Sequence, residues 1–215
     1  MPAAVTTPMT VAELCALAPV ISVLIVDDLA SAAPLAKALS DNGLRALEIT
    51  LRTPVALDAM RAMADAAPNA VVGAGTLRSP ADVKAAVAAG ARFGVSPGLT
   101  PAIADAAAEA GLPLLPGVAT PSEALAAAER GFDHLKFFPA AANGGPSALG
   151  AWASPLGGLK FCPTGGVTPQ TAPEWLALPN VVCVGGSWMA PARMVAAGAW
   201  EEIGIMARAA AALHA

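Results

Sequence analysis

The sequence predicts an α/β chain folded as a parallel (β/α)8 barrel of the TIM type, a single domain over residues 1–215 with a short helix near residues 10–17 closing the bottom. Three observations lead there. Apolar, often β-branched runs alternate eight times with alanine-rich stretches. Many of those stretches open on Ser or Thr followed by Pro, and several close on Gly, the start and stop chemistry of helices. No linker or shift in composition divides the chain. An open doubly wound sheet is the competing layout, but no GxGxxG turn follows the first run, and the glycine pairs come late, after the seventh and eighth.

In order, the strand runs are VISVLIV from Val20, ALEITL from Ala46, AVVGAGT from Ala70 and ARFGVSP from Ala91. LPLLPGV from Leu112, HLKFFP from His134, LKFCPTGG from Leu159 and VVCVGGSW from Val181 complete the eight. Between them SAAPLAKALSDNG, PVALDAMRAMADAAP, SPADVKAAVAAG, TPAIADAAAEAG and TPSEALAAAERG read as helices.

Composition narrows the function classes. The chain is 56% hydrophobic and 13% charged, which predicts elements covered on more than one side. Its uncharged stretch Phe137–Leu159 is broken by Pro139, Gly144, Gly145, Pro146, Gly150 and Pro155, so it does not read as a membrane span. MPAAVTTPMTVAELCALAP has no basic region ahead of an apolar core, so a cytoplasmic location is expected rather than secretion. With net charge −4 and no Lys/Arg run, neither nucleic acid nor an anionic membrane is an expected partner. Cys15, Cys162 and Cys183 lack metal-site spacing and read as small core residues. Trp152, Trp175, Trp188 and Trp200 could face a neighbouring subunit, though ordinary packing is the simpler reading.

Chemistry in such a barrel sits at the carboxyl ends of the strands. In LEITLRTP, period two puts Glu48, Thr50 and Arg52 on one face, and parallel strands are normally covered on both. In HLKFFP the same period puts His134, Lys136 and Phe138 on one face. A lysine amine attacks a carbonyl only when unprotonated, a state that desolvation or a nearby cation such as Arg52 favours. The bland alternative is a lysine snorkelling to the mouth. Lys160 begins its strand after a Gly-Gly turn and belongs near the bottom; Lys37 and Lys84 fall in helices. Gly165-Gly166 and Gly185-Gly186-Ser187 end adjacent strands, where backbone N–H groups at helix starts would bind a phosphate. An amine, a carboxylate, an arginine and a phosphate cradle together suggest imine chemistry on a phosphorylated oxo acid.

LEITLRTP, VVGAGTL, GVSPGLT, LLPGVAT, LKFFPAAANGG, FCPTGGV and VGGSW span nearly the whole chain. They closely resemble the 2-dehydro-3-deoxy-6-phosphogluconate (KDPG) and 4-hydroxy-2-oxoglutarate (KHG) aldolase family, lyases whose first substrate belongs to the Entner–Doudoroff pathway. The resemblance implies a class I aldolase with no cofactor and no metal, commonly a homotrimer, releasing pyruvate and glyceraldehyde 3-phosphate. It implies that Lys136 forms the Schiff base and Glu48 relays protons. Arg52 and Thr76 would hold the pyruvate carboxylate, Phe138 would pack against it, and Thr164 would contact a substrate hydroxyl. Gly165, Gly166, Gly186 and Ser187 would receive the phosphate. One departure is Ala141, where family members often carry Glu. Preference among gluconate-, galactonate- and hydroxyoxoglutarate-type substrates stays open, as do a metal-free sugar-phosphate isomerase and a catalytically silent ligand-binding barrel.

Overall fold

A computed structural model of the protein describes residues 9–213. The first part of the amino-terminal run read for a leader, residues 1–8, and the last two positions of the expected domain lie outside the described residues. Among the described residues nine strands are seen: β1 Val20–Leu24, β2 Ala46–Thr50, β3 Val71–Gly75, β4 Gly94–Val95, β5 Leu114–Leu115, β6 Gly117–Val118, β7 His134–Phe137, β8 Lys160–Pro163 and β9 Val184–Gly186. The helices are α1 Val11–Cys15, α2 Ala32–Ser40, α3 Ala56–Ala66, α4 Pro80–Ala88, α5 Pro101–Glu109, α6 Pro121–Glu129, α7 Gly145–Ala151, α8 Ala172–Leu176, α9 Ala192–Ala196 and α10 Trp200–Ala211.

Local chemistry sets these boundaries. Ser79, Thr100 and Thr120 each cap a helix whose next residue is proline, and each side-chain oxygen accepts from a first-turn N–H. At α6 the box is reciprocal: Thr120 Oγ1 accepts from Glu123 N at 3.3 Å, and Glu123 Oε2 accepts from Thr120 N at 2.9 Å. Thr10 and Glu13 form the same box at α1.

All strand pairs are parallel, as the alternation requires, but they fall into a six-stranded sheet, β5-β4-β3-β2-β1-β9, and a three-stranded one, β6-β7-β8. The expected single run from Leu112 is split at Pro116, which has no N–H to offer a ladder. Its first half pairs with β4 and its second with β7, while the Pro116 carbonyl accepts from Lys136 N at 2.8 Å. Between β8 and β9 two isolated parallel bridges, Phe161↔Val181 and Thr164↔Gly185, span the other gap.

The core has two parts. Leu47, Ile49, Leu135, Phe137, Phe161 and Val184 point from the strands toward the helices. Ile21, Val71, Phe93, Val95, Leu115, Cys162 and Cys183 pack on the opposite, concave side, where α1 inserts Leu14 and Cys15 among them. The short helix is therefore Val11–Cys15 rather than 10–17, and it does plug one end. All three cysteines are buried and free. Trp175 is buried, and Trp152 meets Phe137 and Phe161 edge-on at 5.1 and 5.7 Å, so these tryptophans serve ordinary packing. Among the described residues no helix is long and apolar enough to cross a membrane.

Candidate active site

On β2, Glu48 and Thr50 alternate with Leu47 and Ile49 and face the concave side. Glu48 is 2% exposed, and so cannot be a surface carboxylate. On β7, Leu135 and Phe137 are in the outer core, which turns Lys136 inward, 4% exposed. The two meet: Lys136 Nζ lies 3.7 Å from Glu48 Oε1 and 4.9 Å above the centre of the Phe138 ring. Removing two charged groups from water is costly unless their mutual attraction and further hydrogen bonds compensate. Yet Glu48 Oε1 has no hydrogen-bond partner among the described residues. A buried amine beside an under-satisfied carboxylate is an arrangement suited to proton transfer rather than to stability alone.

Arg52, just past β2, is exposed, and its Nε donates to Thr76 Oγ1 at 3.0 Å. Thr76 has φ of +62°, the one non-glycine residue among those described with a positive value. A β-branched residue there is strained by about 1–3 kcal/mol. The cost fixes where the hydroxyl points.

Just past β8, Gly165 and Gly166 take φ of +98° and +78°, a left-handed conformation that glycine adopts without strain. A cavity of about 150 Å³ joins these parts, lined by Val23, Arg52, Lys136, Phe138, Thr164, Gly165, Gly166, Val167, Gly185, Gly186 and Ser187. A larger cavity of about 430 Å³, which includes Leu77, Thr100 and Ala126, contains none of the predicted residues.

Eight of the ten residues predicted from sequence line the small cavity; Glu48 backs Lys136, and Thr76 reaches the site through Arg52. The other polar strand residues are engaged elsewhere. Thr50 turns inward, but its hydroxyl donates to the Leu24 carbonyl at 3.0 Å and ties β2 to β1. His134 lies at the start of β7, where its Nδ1 is 2.8 Å from Asp133 Oδ1. Lys160 is half-buried and donates to the Pro179 carbonyl. The glycine pairs do not stand at helix starts as expected, because α8 begins at Ala172 and α9 at Ala192; loop residues rather than helix ends line the cavity. Thr164 Oγ1 donates to the Cys162 carbonyl at 3.3 Å. Among the described residues no group of three or more His, Cys, Asp and Glu could hold a metal ion.

Sequence reasoning missed Val23 and Val167 in the lining, and the inward glycines that leave room for bulkier neighbours: Gly73 for Phe93, Gly75 for Glu48, Gly185 for Thr164. The signal was present as glycines at alternate positions of β3, on the face shared with Val71.

The model of the KDPG and KHG aldolase family matches residues 11–206. The KHG/KDPG aldolase of Escherichia coli K12 is 47% identical over 190 residues, 88% of this chain and 89% of that one. A KDPG aldolase from Legionella pneumophila, solved with pyruvate captured at low pH as a covalent carbinolamine intermediate, superposes with TM-score 0.91 at 42% identity, covering 96% of this chain and 99% of the other. The Zymomonas mobilis ZM4 enzyme, solved with 3-phosphoglycerate, gives TM-score 0.88 at 44% identity and covers 94% of each chain.

Proposed function

The chain belongs to the KDPG and KHG aldolase family, and from that membership and this site we propose how it works as a class I aldolase cleaving KDPG to pyruvate and glyceraldehyde 3-phosphate. Lys136 Nζ adds to the C2 carbonyl of the oxo acid, and the resulting carbinolamine loses its hydroxyl as water to give a protonated imine. Glu48, directly or through one water, takes the C4 hydroxyl proton. The C3–C4 electron pair moves into the imine, C4 becomes the aldehyde of the departing triose phosphate, and an enamine remains on Lys136. The same carboxyl returns a proton to C3, and water releases pyruvate and the free amine.

Arg52, oriented by Thr76, holds the carboxylate end; the amides of Gly165, Gly166, Gly186 and Ser187 hold the phosphate; Phe138 packs on the pyruvate half, and Thr164 contacts a hydroxyl. Fixing both flanks of the scissile bond turns binding energy into orientation. The observation that carries the reading is the buried Lys136 amine 3.7 Å from Glu48 in a cavity with the glycine cradle at its other side. Borohydride reduction in the presence of pyruvate, followed by peptide mapping, is expected to leave a mass adduct on Lys136 and none in Lys136→Ala. An unmodified Lys136 would favour the isomerase. The E. coli relative carries both substrates in its name, so KDPG, its galactonate-derived epimer and 4-hydroxy-2-oxoglutarate should be assayed side by side.

The same proposal extends to architecture: one domain whose two sheets close into a (β/α)8 ring. The run shared by both sheets around Pro116 and the two bridges between β8 and β9 support it. A cytoplasmic homotrimer, as the family resemblance implies, completes the reading.

A further inference from the structure

We infer that Gly75 is the positioning residue for Glu48, the space of its absent side chain being the seat of the carboxyl group. Four observations carry this. Gly75 is buried at the end of β3, paired in register with Thr50, and accepts a backbone hydrogen bond from Leu51 N at 2.9 Å, so neither strand can shift to make room. Its φ is not positive, unlike those of Gly165 and Gly166, so no left-handed backbone demands glycine there. A methyl carbon built on it would stand 2.6 Å from Cγ and 2.8 Å from Cδ of Glu48, and closer still to Oε1. Finally, Glu48 Oε1 finds no hydrogen-bond partner among the described residues, so the carboxyl is aimed by packing and by Lys136 rather than by a donor from the protein. Glycine is required at this position by space alone, and the occupant of that space is the group that moves protons.

The neighbouring residue sharpens the point. Thr76, held in its strained conformation directly after Gly75, accepts from Arg52 Nε. Two consecutive residues thus set the proton-relay carboxyl and the guanidinium, one by leaving room and the other by offering an acceptor.

The inference rests on the aldolase reading and is tested so that the two fail separately. Gly75→Ala should lower kcat for cleavage, and the exchange of pyruvate C3 hydrogens with deuterated water, by roughly 100-fold, with KM much less changed and borohydride trapping on Lys136 retained. In a Glu48→Gln background the same substitution should add no more than about a twofold loss, because residues acting as a unit are not additive. Equal losses in the two backgrounds, or a folded Gly75→Ala enzyme with wild-type kcat, would overturn it. If Gly75→Ala unfolds, Glu48→Ala in the same chain should restore a cooperative melting transition, since the colliding group is gone; no restoration would likewise overturn it. Loss of trapping in the wild-type enzyme would instead sink the aldolase reading.

Discussion

Glu48 shows how much one side chain's surroundings decide. A carboxylate 2% exposed, 3.7 Å from an amine and otherwise unpartnered loses little packing when its charge is removed but loses its ability to take a proton. Glu48→Gln is therefore expected to fold normally and to lower kcat by roughly 100- to 10,000-fold, measured by coupling triose phosphate release to a dehydrogenase. If Arg52 holds the substrate carboxylate as proposed, Arg52→Ala should raise KM for pyruvate exchange roughly 10- to 100-fold. Thr76→Gly separates strain from function: its melting temperature should be no lower than that of the wild type, because a left-handed residue is relieved, while KM rises with the loss of the hydroxyl that aligns Arg52. Cys183 illustrates the opposite use of burial. The neighbouring Cys15 and Cys162 thiols, then desolvation, push its thiol well above the usual range. Because the folded value lies above the unfolded one, this group's stabilisation is complete below the ordinary thiol value of 9.0 and is lost as pH rises beyond it. In native protein a thiol reagent at pH 8 should find none of the three cysteines reactive, and denaturant should expose all three.

The helices α4, α5 and α6 were readable because Ser/Thr-Pro at the start is a local signal that needs no tertiary partner. Thr120→Ala removes the hydroxyl that accepts from Glu123 N, while the backbone N–H of residue 120 still donates to Glu123, and should cost about 1 kcal/mol, seen as a fall in melting temperature of roughly 2–4 °C, with kcat unchanged. Strand ends were harder. Pro116 lies inside an apolar run that reads as one strand, and only the pairing of its halves with β4 and β7 shows that the ladder changes partners there. Gly-Gly after a strand suggests a helix start, yet α8 and α9 begin further on and are short. Anion binding at this end should accordingly respond to substitutions that block the amides, such as Gly166→Ala, where the new methyl would come within 2.5 Å of the Ala141 methyl.

For the whole molecule, the two core layers divide the work. The outer layer, with Phe137, Phe161 and Trp175 fully buried, holds strands to helices; the concave layer fills the bottom and leaves the mouth to polar groups. Phe161→Ala should cost about 3–5 kcal/mol without removing any group from the cavity, so denaturant midpoints should fall while KM measured on the folded fraction stays put. Light scattering after size exclusion tests the assembly: three chains per particle are expected, and a monomer would refute the trimer.

By itself, the sequence determined the alternation of strand and helix, the parallel sense of the sheet, and that Glu48, Lys136 and the paired glycines stand on the inner face or at the strand ends. Each follows from period and punctuation over a few residues, which local sterics and hydrogen bonding enforce. Tertiary structure alone decided which inward groups remain free for chemistry. Thr50 and Glu48 share a face, but one hydroxyl is consumed by a carbonyl of β1 while the other side chain is left facing Lys136. It also decided that Gly75 must be small, because the atoms that would fill its space come from another strand, 27 residues earlier in the chain. Such contacts depend on how distant segments meet, and no spacing along one strand can announce them.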